Sequence, residues 1–168
     1  IAPYDFDTLI EISRRAADIT VKSFMPVAPK LKGRTLSSFV DVLYMMFENA
    51  KTKSLLKKDE VNINISLLHL DNDNVELTIS NSCKEISDIE QENINLEEYR
   101  QKYLNYINYL TFAQGEGNTG LIKIAKILNQ DLDLNHTMKI GYTSKDTFEI
   151  KFTFYDFSKV TDNAYIDC

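Results

Sequence analysis

No tryptophan, two cysteines, two histidines, three prolines and five glycines stand among the 168 residues of this chain. Each scarcity closes off a class of protein. Cys83 and Cys168 are too few for a disulfide framework. They allow one long-range bridge or two reduced thiols, and the reduced pair fits a cytoplasmic protein, which is the expected location. His69 and His136 have no partners at metal-ligand spacing, so a zinc site is not expected. No Ser/His/Asp or Cys/His set stands out, and Cys83 reads as a small filler rather than a nucleophile. Basic residues are outnumbered, 19 Lys and Arg against 25 Asp and Glu. The resulting net charge of −6 argues against a phosphate backbone or an acidic membrane surface as partner. No apolar run approaches the ~20 residues of a membrane-spanning helix.

What is present suits one soluble globular domain: 43% hydrophobic and 26% charged residues, without repeats or low-complexity tracts. Residues 1–168 are read as that single domain, with a helix and connector over 1–30 and a polar tail over 158–168. The chain opens with Ile-Ala-Pro, so the expectation is a processed product or a piece of a larger protein.

The pattern is centred on Leu36 to Ser54. Leu36, Phe39, Leu43, Phe47 and Ala50 recur at three- and four-residue steps, on one face of a helix. Thr35 or Ser37 is read as its cap, while Lys51, Lys53, Lys57 and Lys58 load the end that the helix dipole makes negative. Asn49 is a polar amide one position before Ala50. Upstream, Asp5 or Asp7 starts a helix expected to reach about Ser23, burying Leu9, Ile12, Ala16, Ala17 and Ile19. Met25 to Arg34, with Pro26, Pro29 and Gly33, is a connector.

At Val61 the period falls from 3.6 to 2. Val61, Ile63, Ile65 and Leu67 alternate with polar residues, as do Val75, Leu77 and Ile79 beyond the turn Asp71–Asn74, which predicts a hairpin. An acidic, aperiodic stretch to Asn95 precedes a helix from Leu96 to about Phe112, with Tyr99, Tyr103, Ile107 and Leu110 on one side. That tyrosine stripe reads as packing or as a stacking platform for a base. Next, Gly115 to Thr119 forms a glycine-rich loop ahead of a helix from Gly120 to about Asn129. The free N–H groups and dipole at such a helix start suit a phosphate. Leu132–Thr143 and Phe148–Tyr155 make a last hairpin. The order helix, helix, hairpin, helix, helix, hairpin predicts an α+β two-layer sandwich, a mixed and mostly antiparallel sheet with helices on one face.

These motifs, in this order, resemble a divergent member of the GHKL ATPase superfamily, the Bergerat-fold or histidine-kinase-like ATPase domain of DNA gyrase, sensor histidine kinases and mismatch-repair ATPases. Val42–Ala50 resembles the family's asparagine box, Glu76–Ser82 the strand into its first glycine box, and Gly117–Ile124 its second glycine box. The resemblance implies ATP and Mg2+ as cofactors, with Asn49 a magnesium ligand through its side-chain oxygen and Asn81 at the adenine. It also implies phosphate binding by N–H groups from Gly117 to Leu121, Gly120 among them. Thr119 would add a hydroxyl, and Lys53 or Lys123 a countercharge.

Departures from the family pattern bear on catalysis. Met45 stands where efficient members keep a carboxylate, and a thioether neither takes a proton nor binds a hard cation. Glu48 is the remaining carboxylate candidate, yet it lies about 100° round the helix from Asn49; the catalytic residue stays unassigned. Asn81 replaces an aspartate, and Cys83 and Glu85 replace glycines of the first box, with Cys83 counted among the cofactor-binding positions. The helix from Asp5 holds no histidine, so autophosphorylation within this chain is not expected. The function implied is ATP binding, with slow or absent hydrolysis, that closes a lid over Lys84–Ala113 and changes partner contacts. The partners implied are other domains of a larger chain or a separate protein, a second copy of this chain included. The alternative is a degenerate pseudo-ATPase kept as a structural, dimerisation or protein-interaction module.

Overall fold

Hydrophobic period sets the layers. The computed structural model describes residues 4–18, 20–24, 30–105 and 120–161. In chain order its elements are β1 (Tyr4–Asp5), α1 (Phe6–Ala17), β2 (Val21–Phe24), β3 (Lys30–Leu31), α2 (Gly33–Lys53), β4 (Ile63–His69), β5 (Val75–Ser82), α3 (Ile89–Leu104), α4 (Gly120–Lys126), β6 (His136–Ser144) and β7 (Thr147–Phe154). Five strands form one sheet in the order β2-β4-β5-β7-β6. Only the β2–β4 pair is parallel; the other pairs are antiparallel.

Register aligns the alternating apolar residues into rows across the sheet. One row is Ile65, Ile79, Ile150 and Ile140; the next is Leu67, Leu77, Phe152 and Met138. The opposite face carries Asn64, Glu76 and Lys151, the last two joined by an ion pair at 3.3 Å. Such alternation in burial marks a sheet with one covered face and one wet face. The cover is helical. Phe39, Val42, Leu43 and Phe47 of α2 are fully buried, α4 adds Ile124 and Ala125, and α1 packs behind α2 through Leu9. Phe39 also meets Phe154 and Phe157 edge to face, at 6.2 Å in both cases. The observed fold is the predicted α+β sandwich.

Several local expectations are corrected. The first helix stops at Ala17, not Ser23, because Asp18 turns the chain with a left-handed φ of 55°. Val21–Phe24 then pairs with β4 as an edge strand. Its buried side also differs: Ile12 is 42% exposed, whereas Ser13 is buried and its hydroxyl donates to the Val40 carbonyl at 3.3 Å. Leu9, Ser13 and Ala17 make the seam with α2, a set that apolarity alone does not select. Ile19 lies outside the described residues. The central helix begins at Gly33 with Lys32 as its uncapped N-cap residue, and Thr35 donates to the Lys32 carbonyl at 2.7 Å instead.

The acidic stretch before Asn95 is helical from Ile89 on. Asp88 caps α3 by accepting from the Gln91 N–H at 3.0 Å, and Glu90 and Glu92 sit where the dipole favours anions. The expected end of that helix, with Ile107 and Leu110, lies outside the described residues. The helix from Gly120 ends as a π turn, Ile127–Asp131. Ser158 to Thr161, the described part of the polar tail, packs on the domain: Val160 is buried, its carbonyl accepts from Lys32 N–H at 2.9 Å, and Thr161 bridges Leu31.

Candidate functional site

A cleft of about 250 Å³ opens between the C-terminal half of α2, the end of β5, α3 and the start of α4. Its floor is the sheet row in which Asn81 stands between Ile63 and Phe148, with Tyr142 at the far end. An amide has replaced the apolar residue that the period calls for. Asn81 is only 6% exposed, and its Nδ2 donates to the Ser82 carbonyl at 2.9 Å. That bond fixes the amide's orientation and leaves its oxygen as the acceptor for anything in the cleft.

Asn49 reaches the same cleft from the last turns of α2. Its amide lies against the first residue of α4: a Cβ on Gly120 would come within 3.0 Å of Asn49 Nδ2 and 3.3 Å of Oδ1. No described glycine has a positive φ, so Gly120 is small for closeness rather than for backbone freedom. The helix start and the asparagine, seventy residues apart in sequence, thus face one space.

Lys53, Cys83 and Leu121 also line the cleft. Burial pushes the Cys83 thiol up, and the Asp146 carboxylate adds to the effect, so the sulfur stays protonated and inert. Cys83 is a free thiol; Cys168 lies outside the described residues. Burial likewise raises the Tyr142 phenol, with smaller contributions from Cys83 and Glu92, which keeps the hydroxyl a donor.

Other predicted residues fall elsewhere. Glu48 does not line the cleft; it pairs with Lys51 at 2.6 Å, and Lys51 also donates to the Ala17 carbonyl at 3.0 Å. Met45 is half-buried against the core, and Glu85 and Lys123 are exposed away from the lining. Gly117 and Thr119 lie outside the described residues. Lining residues outside those motifs include Leu96, Tyr142 and Phe148. The alternation Met138, Ile140, Tyr142 carries the signal for Tyr142; Leu96, on a largely polar helix, carries none. No described group of three or more His, Cys, Asp or Glu gathers to hold a metal. The donor set fits a hard cation only through the Asn49 oxygen together with oxygens of a bound ligand.

A protein-family profile described as the y4jQ C-terminal putative histidine kinase domain matches residues 7–155. No curated protein sequence matches the chain. Among solved structures, a mycobacterial sensor histidine kinase, MprB, aligns with a TM-score of 0.56 at 17% identity, over 91% of this chain and 95% of its own. The catalytic domain of the histidine kinase ThkA aligns at 0.55 and 14% identity, over 92% and 96%. Full-length ShkA, solved with AMPPNP, aligns at 0.57 and 13% identity, over 96% of this chain but 31% of its own. At these identities the likeness is one of fold.

Proposed function

The chain belongs to the y4jQ C-terminal domain family and has the GHKL ATPase fold, and from that premise we propose that its cleft binds ATP with magnesium. One observation carries the reading: the Asn49 amide and the start of α4 at Gly120 meet in the cleft that Asn81 floors. In this reading the Asn81 oxygen accepts a hydrogen from the adenine amino group. Backbone N–H groups from Gly117 to Leu121 hold the phosphates, Thr119 adds a hydroxyl, and Lys53, with Lys123 further out, supplies positive charge. Asn49 supplies one oxygen to magnesium, whose other ligands come from phosphate and water; the ion neutralises charge between the phosphates.

Hydrolysis is slow or absent. Among the described residues that line the cleft none is a carboxylate, and Met45 and the Lys51-paired Glu48 offer no base there. The domain then works by binding: nucleotide favours a closed arrangement of the segment 84–113 and so alters contacts with neighbouring domains or a partner protein. Titration of the protein with ATP and magnesium in a calorimeter tests this. Binding heat in the wild type, lost in Asn49→Ala with unchanged circular dichroism, is the expected result; no heat at millimolar ATP overturns it. Met45→Glu should raise turnover if the missing carboxylate alone limits it. The second reading, a pseudo-ATPase kept for partner contacts, draws on Cys83 and Asn81 in place of the family's residues.

A further inference from the structure

Among the residues of α3, only Tyr103 is buried, so apolar packing gives the helix little to hold it in place. It runs along β6, the edge strand of the sheet, in the opposite direction: Asn93 meets Tyr142, and Tyr103 meets His136. The Asn93 contact is two-pronged. Its Oδ1 accepts from the Tyr142 N–H at 2.7 Å, and its Nδ2 donates to the Tyr142 carbonyl at 3.1 Å. One side-chain amide thereby takes the place that a sixth strand would occupy at this edge. It does so beside the register shift between Tyr142 and Ser144, where the strand is irregular.

The residue before Tyr142 is glycine, and a larger one would crowd the Asn93 amide. A Cβ on Gly141 would lie 3.0 Å from Asn93 Oδ1 and 3.5 Å from its Cγ. Since Gly141 has no positive φ, its conformation is open to any residue, and only the space is at issue. The consequences reach the cleft directly: Leu96 and Tyr99, one and two turns beyond Asn93, form its α3 wall, and Tyr142 closes the same side.

We propose that Asn93 is a positioning residue that pins α3 to the sheet edge, and that Gly141 is glycine to admit its amide, so that this pair sets the wall against which the nucleotide base rests. The inference rests on the ATP-binding reading for its ligand, but not for the pin itself. Loss of the pin leaves α3 docked only part of the time. Apparent affinity falls by the fraction of molecules with the wall in place, here about tenfold for two lost hydrogen bonds.

The test combines amide exchange without ligand and calorimetric titration with ATP and magnesium. Asn93→Ala should speed exchange in the first half of α3 and at the Tyr142 amide, while β4 and β5 stay protected. Asn93→Asp, nearly the same size, keeps the acceptor but turns an oxygen toward the Tyr142 carbonyl; it should behave like alanine, which mere volume would not predict. Gly141→Ala should weaken ATP about as much as Asn93→Ala, and the double variant no more than either alone. Unchanged exchange in all three single variants, or losses that simply add, would overturn the pin. If wild-type protein gives no binding heat, the ATP reading fails and the exchange arm still decides the pin; if it binds and the variants bind equally well, the wall-setting role fails.

Discussion

The two walls of the cleft are built on opposite plans. On the α2 and β5 side the lining residues are also core residues: Met46 and Ile79 are each 3% exposed and Ala50 is 5% exposed, backed by the fully buried Phe47 and Leu77. On the α3 side, the lining Tyr99 is 39% exposed, Ile94 and Leu104 off the lining are 60% and 57% exposed, and Asn93 and the buried Tyr103 join the helix to β6. The first wall cannot move without opening the domain. Undocking the second breaks those hydrogen bonds and exposes one buried ring, Tyr103, which packs on Phe152. That is a smaller loss than opening the core, so a ligand that touches both walls can select its position. On the proposed reading, fixed chemistry and adjustable closure would fall to different halves of one site.

The largest expected effect breaks the rigid half. Phe47 is fully buried between α2 and the sheet. Phe47→Ala should destabilise the whole domain by about 3–5 kcal/mol, read as a shift in the urea midpoint, with both walls lost in one transition. A loss below about 1 kcal/mol would mean that this wall is not continuous with the core.

Legibility in the sequence follows the same division. Phe39, Leu43, Phe47 and Ala50 and the alternating strands were readable because burial in a core imposes a period, and the core wall came with them. Asn81 and Asn49 were both reached through the family motifs, not through the hydrophobic period. The other half had no such signal. Asn93 is one polar residue on a polar helix, and its partner is backbone, which no side-chain pattern reports. β2 was missed because four residues that pair in parallel with a distant strand have too little periodicity to stand against a preceding helix. Ser13 was missed because its burial depends on a hydrogen bond to α2, not on hydrophobicity.

An intermediate effect is expected at the second attachment point. The Tyr103 hydroxyl bonds His136 Nε2, while His136 Nδ1 lies 2.9 Å from the Leu134 carbonyl. This arrangement needs a neutral imidazole that donates from Nδ1 and accepts at Nε2. Tyr103→Phe should cost about 1–3 kcal/mol, because it strands a partly buried acceptor. Burial lowers the His136 pKa below 6.5, and the Leu134 carbonyl only partly offsets this. The unfolded chain therefore takes up the proton first as pH falls. The stabilising contribution is complete above about 6.5 and declines below it. Urea unfolding followed from pH 7.5 to 5 should show that decline, and His136→Gln, which keeps an acceptor for Tyr103, should flatten it. An equal slope in both proteins would remove His136 from the account.

The smallest expected effect lies on the outward face of α3. Arg100 and then Gln101 hold the Glu97 carboxyl at about 2, against 4.5 for the free group. By sign, this contribution is present above about 4.5 and fades as pH drops toward 2. Yet the Glu97 side chain is half open to solvent, where screening and side-chain entropy absorb most of what an ion pair gains. Glu97→Gln should accordingly leave the urea midpoint at pH 7 unmoved and only modestly quicken amide exchange within α3, a difference that vanishes at high salt. If it instead loosened α3 as much as Tyr103→Phe does, the helix would owe its place to its own stability rather than to its docking on β6. The contrast between the walls would then be one of helix propensity, since an intrinsically stable α3 would close the cleft with or without its contacts to the sheet edge.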